Sequence, residues 1–310
     1  MATIGCIGLG KIGVPIVQNL IKSGHKVVGY RRSSLAELES IGGVAARSAA
    51  DVGAQAEIVF SCLPSTEALD DVVQGPRGLV HAARPGQIVV ELGSHPVSEK
   101  QRQIAPLAQK GATFIDGEVS GTPGMVLARK GVVYLAGDAQ ACKTLQGVVD
   151  GFADSCLYFG AFGAASRVKL INNLLVAIHI AATAEAMALG LEAGVDVPLM
   201  IEAIATGSGG STQFGIRAPW MAERRFKPAQ GTIPGLQHYV EMIGGFADSA
   251  GIATPLLDCA AALFERFVAM GLSDCDGAAM IDVIRSLPRG NARRREAAEG
   301  GAKSSGKVSG

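Results

Sequence analysis

Ala2-Thr3-Ile4-Gly5-Cys6-Ile7-Gly8-Leu9-Gly10-Lys11-Ile12-Gly13 opens the chain, and the reading of this stretch decides the fold. Residues 2 to 7 form a short apolar run of strand character, 14 to 22 have helical spacing, and 25 to 30 read as a second strand after Ser23-Gly24. The order is strand, GxGxxG, helix, strand. A lone GxGxxG is a weak signal, but this setting gives it a mechanism. Gly8 permits the tight turn, Gly10 lets the backbone approach a pyrophosphate, and Gly13 allows close helix packing. The helix N-terminus then offers N–H donors and the positive end of its dipole. Gly8, Leu9, Gly10, Lys11, Ile12 and Gly13 are thus the expected dinucleotide-binding loop. An NAD-specific site usually places Asp or Glu about twenty residues further on, to bond the ribose hydroxyls. Here the second strand ends in Tyr30-Arg31-Arg32-Ser33. Two guanidinium groups and a hydroxyl suit a 2′-phosphate, so Arg31, Arg32 and Ser33 point to NADP, with NAD as second choice.

Outward from this unit the α/β alternation continues. A strand at 57 to 62 exits through Leu63-Pro64-Ser65 into another helix, one at 87 to 92 ends in Gly93-Ser94, and a third spans 113 to 116. Ligands of an open parallel sheet lie outside the carboxyl ends of its strands, which places Leu63, Pro64 and Ser94 on the cofactor. Residues 117 to 124, Gly-Glu-Val-Ser-Gly-Thr-Pro-Gly, read as a polar loop. In it Ser120, with the N–H groups of Gly121 and Thr122, suits a small anion such as a carboxylate, although the same residues make an ordinary turn. Two more strands are expected at 131 to 136 and 155 to 159.

Residues 160 to 194, GAFGAASRVKLINNLLVAIHIAATAEAMALGLEAG, then predict about eight helical turns. Lys169 and Asn173 are four apart and share one face. From there to Leu191 the only polar side chains are His179, Thr183 and Glu185. A helix apolar on nearly every side is expected to be buried against a second domain, another subunit, or both. A polar pair at its start is a candidate active site; the plainer reading is a solvated lysine beside a capping asparagine. His179 lies about 80° off the Lys169 face and reads as structural. Helical periodicity follows at 197 to 206, 213 to 223, 234 to 250, 254 to 270 and 276 to 285. The expected architecture is an α/β Rossmann-like dinucleotide-binding domain over residues 1–162, then an all-α substrate and oligomerisation domain over 163–288, joined by the long interdomain helix.

Composition bounds the partners. The 310 residues are 48% hydrophobic and 18% charged, which describes a globular protein. Residues 289–310 carry six basic and two acidic side chains among Gly, Ser and Ala, and read as a disordered basic tail. That leaves 22 basic against 26 acidic groups, or −4, on the rest, so nucleic acid is an unsuited partner. Cys6, Cys62, Cys142, Cys156, Cys259 and Cys275 show no metal-ligand spacing and read as reduced core residues of a cytoplasmic protein. No metal site and no membrane span are expected, since no run approaches the eighteen or so apolar residues a span needs.

These stretches together resemble the β-hydroxyacid dehydrogenase family, which includes 3-hydroxyisobutyrate dehydrogenase and tartronate semialdehyde reductase. The resemblance runs from Ile4 to about Ile284. It rests on the glycine loop, Leu63-Pro64, Ser120-Gly121, the approach Gly160-x-x-Gly163 to Lys169-x-x-Asn172-Asn173, and Gly271 to Asp276. It implies an NAD(P)-linked interconversion of a small 3-hydroxy acid and its carbonyl form, with a homodimer or homotetramer made through the helical domain. It also implies that Lys169 is the catalytic acid/base, that Asn173 orients the substrate, and that Ser120, Gly121 and Thr122 hold its carboxylate. Three positions depart from the family. His238-Tyr239 stands where it usually has a Lys-Asp pair close to cofactor and substrate, Glu118 where it commonly has Pro, and Thr122 where it has Gly. His238 brings a group titrating near neutrality in place of a permanent charge, which implies a substrate anion held differently or not a simple carboxylate; a helical histidine without a role is the plainer reading. Two other functions fit the same outline: imine reduction, although imine reductases commonly carry Asp or Tyr in place of that lysine, and a non-catalytic NADPH-sensing module.

Overall fold

The computed structural model describes residues 2 to 288. The apolar runs pair into one eight-stranded sheet built from β1 (Thr3–Ile7), β2 (Lys26–Tyr30), β3 (Val44–Ala45), β4 (Ile58–Ser61), β5 (Ile88–Glu91), β6 (Thr113–Ser120), β7 (Val132–Ala136) and β8 (Ser155–Tyr158). Their order is β3-β2-β1-β4-β5-β6-β7-β8. Side chains of a strand alternate between faces, and here they sort into two cores. Ile4, Cys6, Phe60, Val90 and Ile115 enter one, while Ile7, Val28, Val59, Val89 and Phe114 enter the other. Every residue of β4 and β5 is buried, which is why those strands read as unbroken apolar runs.

Three features of the sheet differ from the sequence expectation. The two-residue β3 extends the sheet beyond β2, and it is too short to show a period. The pair β6 and β7 is antiparallel, whereas every other pairing is parallel. Between them lie only residues 121 to 131, fewer than a parallel crossover requires. Finally, β6 does not stop at Asp116 but continues to Ser120. Gly117 to Ser120 are therefore strand, not loop, and Glu118 is 1% exposed.

At β1 the chain turns into the helix Gly13–Lys22. Gly8 has φ +86°, and a Cβ on it would lie 2.2 Å from the Cys62 carbonyl oxygen; a Cβ on Gly13 would lie 2.2 Å from that of Gly8. No side chain fits at either position, so the loop closes tightly onto β4 and onto its own helix. The sequence order changes direction between β1 and β4, which is where such sheets bind ligands.

The long helix spans Ala164–Ala193. It is not enclosed on all sides: Ile171, Leu175 and Leu189 are 50%, 49% and 72% exposed. These three positions fall on one side at 100° per residue, opposite Lys169 and Asn173. Its length and mean hydropathy of 1.8 would also allow it to cross a membrane, which corrects the expectation that no run approaches that size. The remaining helices include Val197–Thr206, Thr212–Ala222, Ile233–Ala250, Pro255–Ala269 and Met280–Ser286.

By contacts the chain forms two compact units, one of residues up to Leu175 with Glu241–Ala253, the other of Val176–Val240 with the described residues from Thr254. The second unit is helical and is pinned by a buried pair, Arg217 Nε to Asp276 Oδ1 at 3.4 Å. Asp276 also accepts the backbone N–H groups of Gln230, Gly231 and Ala278 at 2.9 to 3.0 Å. Of the six unpaired cysteines only Cys6, Cys142 and Cys275 are buried, Cys62 and Cys156 are half-buried and Cys259 is exposed, so the reading of all six as core residues holds for three. The tail 289–310 lies outside the described residues.

Candidate active site

Beside the glycine loop is a cavity of about 650 Å³, lined by residues 7 to 13, by Tyr30, Arg31, Arg32 and Ser33 at the end of β2, and by Cys62, Leu63 and Pro64 after β4. Ala68, Asp71 and Val72 of the helix Thr66–Gln74 complete the wall. Ser65 caps that helix by accepting the Ala68 N–H at 3.3 Å, and this cap sets the angle at which the helix leaves the strand. All but one of the residues expected on the cofactor meet in this space. The volume suits a bound cofactor, and no atom lies within 4 Å of where a Gly10 Cβ would be, so a phosphate group can reach the backbone there. These residues fit a nicotinamide dinucleotide.

Arg31 is partly engaged by the protein. It donates from Nη1 to the Leu9 carbonyl at 2.7 Å and from Nε to the Ser34 carbonyl at 2.5 Å, and it pairs with Glu37 at 3.3 Å. Arg32 and Ser33 are exposed at the mouth. Ser94 is not in the cavity wall. Its hydroxyl donates to Glu118 Oε2 at 2.5 Å.

That bond leads into a buried ionic cluster that the sequence did not reveal. Asp116 and Glu118 are two apart on β6 and so share a face. The Lys100 ammonium, 0% exposed on the helix Val97–Gln101, lies 3.0 Å from Asp116 Oδ1, 3.0 Å from Glu118 Oε1 and 3.0 Å from the Gly117 carbonyl. In the first turn of the long helix, Ser166 gives its N–H to Asp116 Oδ2 at 3.0 Å and its hydroxyl to Asp116 Oδ1 at 2.6 Å, with Glu118 Oε1 at 3.3 Å. The only earlier signal was Glu118 as a departure from the family pattern.

Lys169 follows Ser166 by one turn, is 8% exposed, and donates to the Val119 carbonyl at 2.9 Å. Burial pushes its ammonium below the usual lysine range, against the pull of Glu118 and of Cys62. Burial likewise pushes the Glu118 carboxyl up, against Lys100, Ser94 and Lys169. For Lys100 the balance is reversed: burial opposes the charge, but Glu118, Asp116 and Glu91 outweigh it and hold the group above its usual range. Cys62 lines the dinucleotide cavity. Burial and the carboxylates of Glu91 and Glu118 push its thiol up to about 12, which keeps it protonated.

Asn173 is 5% exposed and accepts from the Asn172 amide at 3.1 Å through Oδ1. Ser120 ends β6 beside these groups in the chain, opposite Val132 of β7. Thr122 has a structural use, since its Oγ1 accepts the Met125 N–H at 3.3 Å and caps the helix Pro123–Leu127. His238 lies in the part of the helix Ile233–Ala250 that belongs to the second unit, exposed and with its ring 6.1 Å from that of Tyr239. A second anchoring group escaped the sequence reading as well. Glu91, fully buried at the end of β5, accepts the N–H groups of Leu63 at 3.2 Å and Gly93 at 2.7 Å and the Ser61 hydroxyl at 2.5 Å. It thereby ties together the strand ends that form the cavity rim.

The sheet, the glycine loop and the cavity define an NAD(P)-binding oxidoreductase fold. Family profiles match most of the chain: residues 3–160 match the NAD binding domain of 6-phosphogluconate dehydrogenase, and residues 163–284 the NAD-binding domain of NADP-dependent 3-hydroxyisobutyrate dehydrogenase. L-threonate dehydrogenase of Cupriavidus necator is 30% identical over 92% of this chain and 96% of its own. Among solved structures, 3-hydroxyisobutyrate dehydrogenase of Mycobacterium tuberculosis with L-serine superposes with a TM-score of 0.81 at 25% identity, over 92% of this chain and 100% of that one. An imine reductase from Myxococcus stipitatus is more distant, with a TM-score of 0.61 at 16% identity over 91% and 99%. The chain belongs to the β-hydroxyacid dehydrogenase family and is an NAD(P)-dependent oxidoreductase. The second profile runs through the whole long helix, so the apolar length of that helix belongs to the fold of this family.

Removing one partner of a buried ionic cluster leaves uncompensated charge. Lys100→Met is expected to lower stability by about 3–5 kcal/mol, and adding Glu118→Gln should recover part of that loss; urea unfolding of the two variants checks both.

Proposed function

We propose that this protein interconverts a small 3-hydroxy acid and its semialdehyde or keto form with NADP, using Lys169 as general acid and base. The observation that carries the reading is a buried lysine of the long helix whose ammonium donates to the Val119 carbonyl, one residue before the Ser120 that ends the strand. The nicotinamide, when bound, exchanges a hydride with the substrate carbon. The chain's own groups handle the rest. In reduction the Lys169 ammonium gives a proton to the oxygen as negative charge develops on it; in oxidation the neutral amine takes the hydroxyl proton. Ser120 and the N–H of Gly121 hold the substrate carboxylate, joined by the N–H of Thr122, whose side chain is already occupied as a cap. Asn173 uses its remaining amide donors to orient the substrate. Relatives that act on L-threonate and 2-(hydroxymethyl)glutarate support a small hydroxy acid as the substrate class.

An assay panel of small semialdehydes and 3-hydroxy acids, read by NADPH absorbance, tests the activity, and no turnover with any of them would favour a sensing role. Lys169→Ala should cut turnover by about 10²–10⁴-fold while NADPH still binds; near-normal turnover would remove Lys169 from the chemistry. The pH dependence has a definite sign. Only the neutral amine can act as base, so the rate of alcohol oxidation should rise with pH and level off, with its midpoint below the 10.5 of an exposed lysine.

For NADP the argument rests on Arg32 and Ser33, because Arg31 is partly engaged by Leu9, Ser34 and Glu37. A charge-assisted bond to phosphate contributes about 1.5–3 kcal/mol. Arg32→Ala should therefore weaken NADPH binding roughly 10- to 100-fold and leave NADH binding little changed, as fluorescence titration would show. Equal losses for both cofactors would argue for NAD.

The stripe Ile171, Leu175 and Leu189 on the long helix is assigned to subunit contact in a homodimer or homotetramer. Leu189→Asp should shift the sedimentation profile toward monomer, and an unchanged profile would place the contact elsewhere.

A further inference from the structure

Glu118 occupies a position where a buried carboxylate is costly. It is 1% exposed, its Oε2 accepts Ser94, and its Oε1 lies on Lys100 and Ser166. None of these partners requires the carboxylate, since an apolar residue at 118 would avoid the cost of burying it and would leave Lys100 paired with Asp116. What lies next to it is Lys169, bonded to the carbonyl of the following residue, Val119, and set one helical turn after Ser166. We propose that Glu118 is the positioning residue of this site, supplying a negative charge, held by the donors Ser94 and Lys100 on its two oxygens, against which Lys169 takes up and releases its proton. The proposal deepens the reading of Lys169 as acid and base and rests on it.

Charge bookkeeping gives the reason. Glu118 on β6 and Cys62 after β4 are the ionisable groups that act on Lys169 directly; behind Glu118 lie Asp116 on β6, Lys100 on the helix Val97–Gln101, and Glu91 at the end of β5 with His95 Nε2 at 3.4 Å from it. The Cys62 thiol is neutral in the working range. Glu91 has its own partner in His95; Lys100 cancels one of the two β6 carboxylates that face it and leaves the other to balance a charged Lys169. In a water-poor site an ammonium with no such balance loses its proton more readily, which depletes the acid needed for carbonyl reduction. With Glu118 present, the charged and neutral forms of Lys169 both remain accessible. Ser94, Lys100 and Ser166 occupy the carboxylate oxygens, so Glu118 acts through its charge and not by touching substrate.

The experiment uses the full-length protein with NADP and the best substrate of the panel. Glu118→Gln keeps the shape and the Ser94 contact but removes the charge, so the midpoint of the oxidation-rate limb should move to lower pH by about one unit or more. Adding Lys100→Met restores the net charge around Lys169 and should return the limb toward its original position, a reversal that simple structural damage does not produce. Glu118→Asp, which keeps the charge, should leave the limb in place and serves if the glutamine variant folds poorly. NMR of isotopically labelled lysine, with the Lys169 signal identified by its loss in Lys169→Met, follows the titration independently of turnover. An unmoved Lys169 titration in Glu118→Gln overturns the proposal. A titration that moves while the rate limb stays supports it and instead removes Lys169 from the rate-limiting proton transfer.

Discussion

Two carboxylates two residues apart on one strand face can be buried only if a cation is buried with them. Lys100 meets that condition for Asp116 and Glu118, and much of the first compact unit follows from it. With the pair neutralised, β6 can run on to Ser120 instead of breaking into loop at Asp116. The extended strand gives Lys169 the Val119 carbonyl, and the free valences of Asp116 fix Ser166 and with it the start of the long helix. One buried ammonium thus sets strand length, helix entry and the environment of the proposed acid and base.

At the other end of the site the controlling constraint is steric. Gly8 and Gly13 are packed too closely for any side chain, which fixes the loop against β4 and its own helix. Glu91 performs the matching task on the far rim by holding the N–H groups after β4 and β5 with one carboxylate. Both devices are rigid and buried, so the cavity wall is set by backbone held in place and not by mobile side chains.

The sequence made the glycine loop, the α/β order and the long helix legible because each has a period or a spacing that survives without tertiary information. Lys169 and Asn173 stood out because polar residues are rare on that helix. The ionic cluster was not legible. Lys100 sits in a polar-looking segment, Val-Ser-Glu-Lys-Gln, and Asp116 and Glu118 read as the entry to a loop, because nothing in the local pattern says that three charged residues from two elements neutralise one another. Ser94 carries a bond that its position at a strand end did not announce: its hydroxyl donates to Glu118. The reversal of β7 was readable only from the shortness of the link before it, and the exposed stripe on the long helix only once its polar face had been located.

The bond from Arg31 to the Leu9 carbonyl joins the end of β2 to the glycine loop. On the proposed placement of the dinucleotide, a substitution at Arg31 changes two things together: the charge presented to its adenosine end and the support of the loop that receives its phosphates. Cofactor preference and loop integrity are thereby inherited as one trait at that position, whereas Arg32 and Ser33 are free to vary without disturbing the loop. Within this framework, drift between the two nicotinamide cofactors has an open route through the exposed pair and a closed one through the residue beside it.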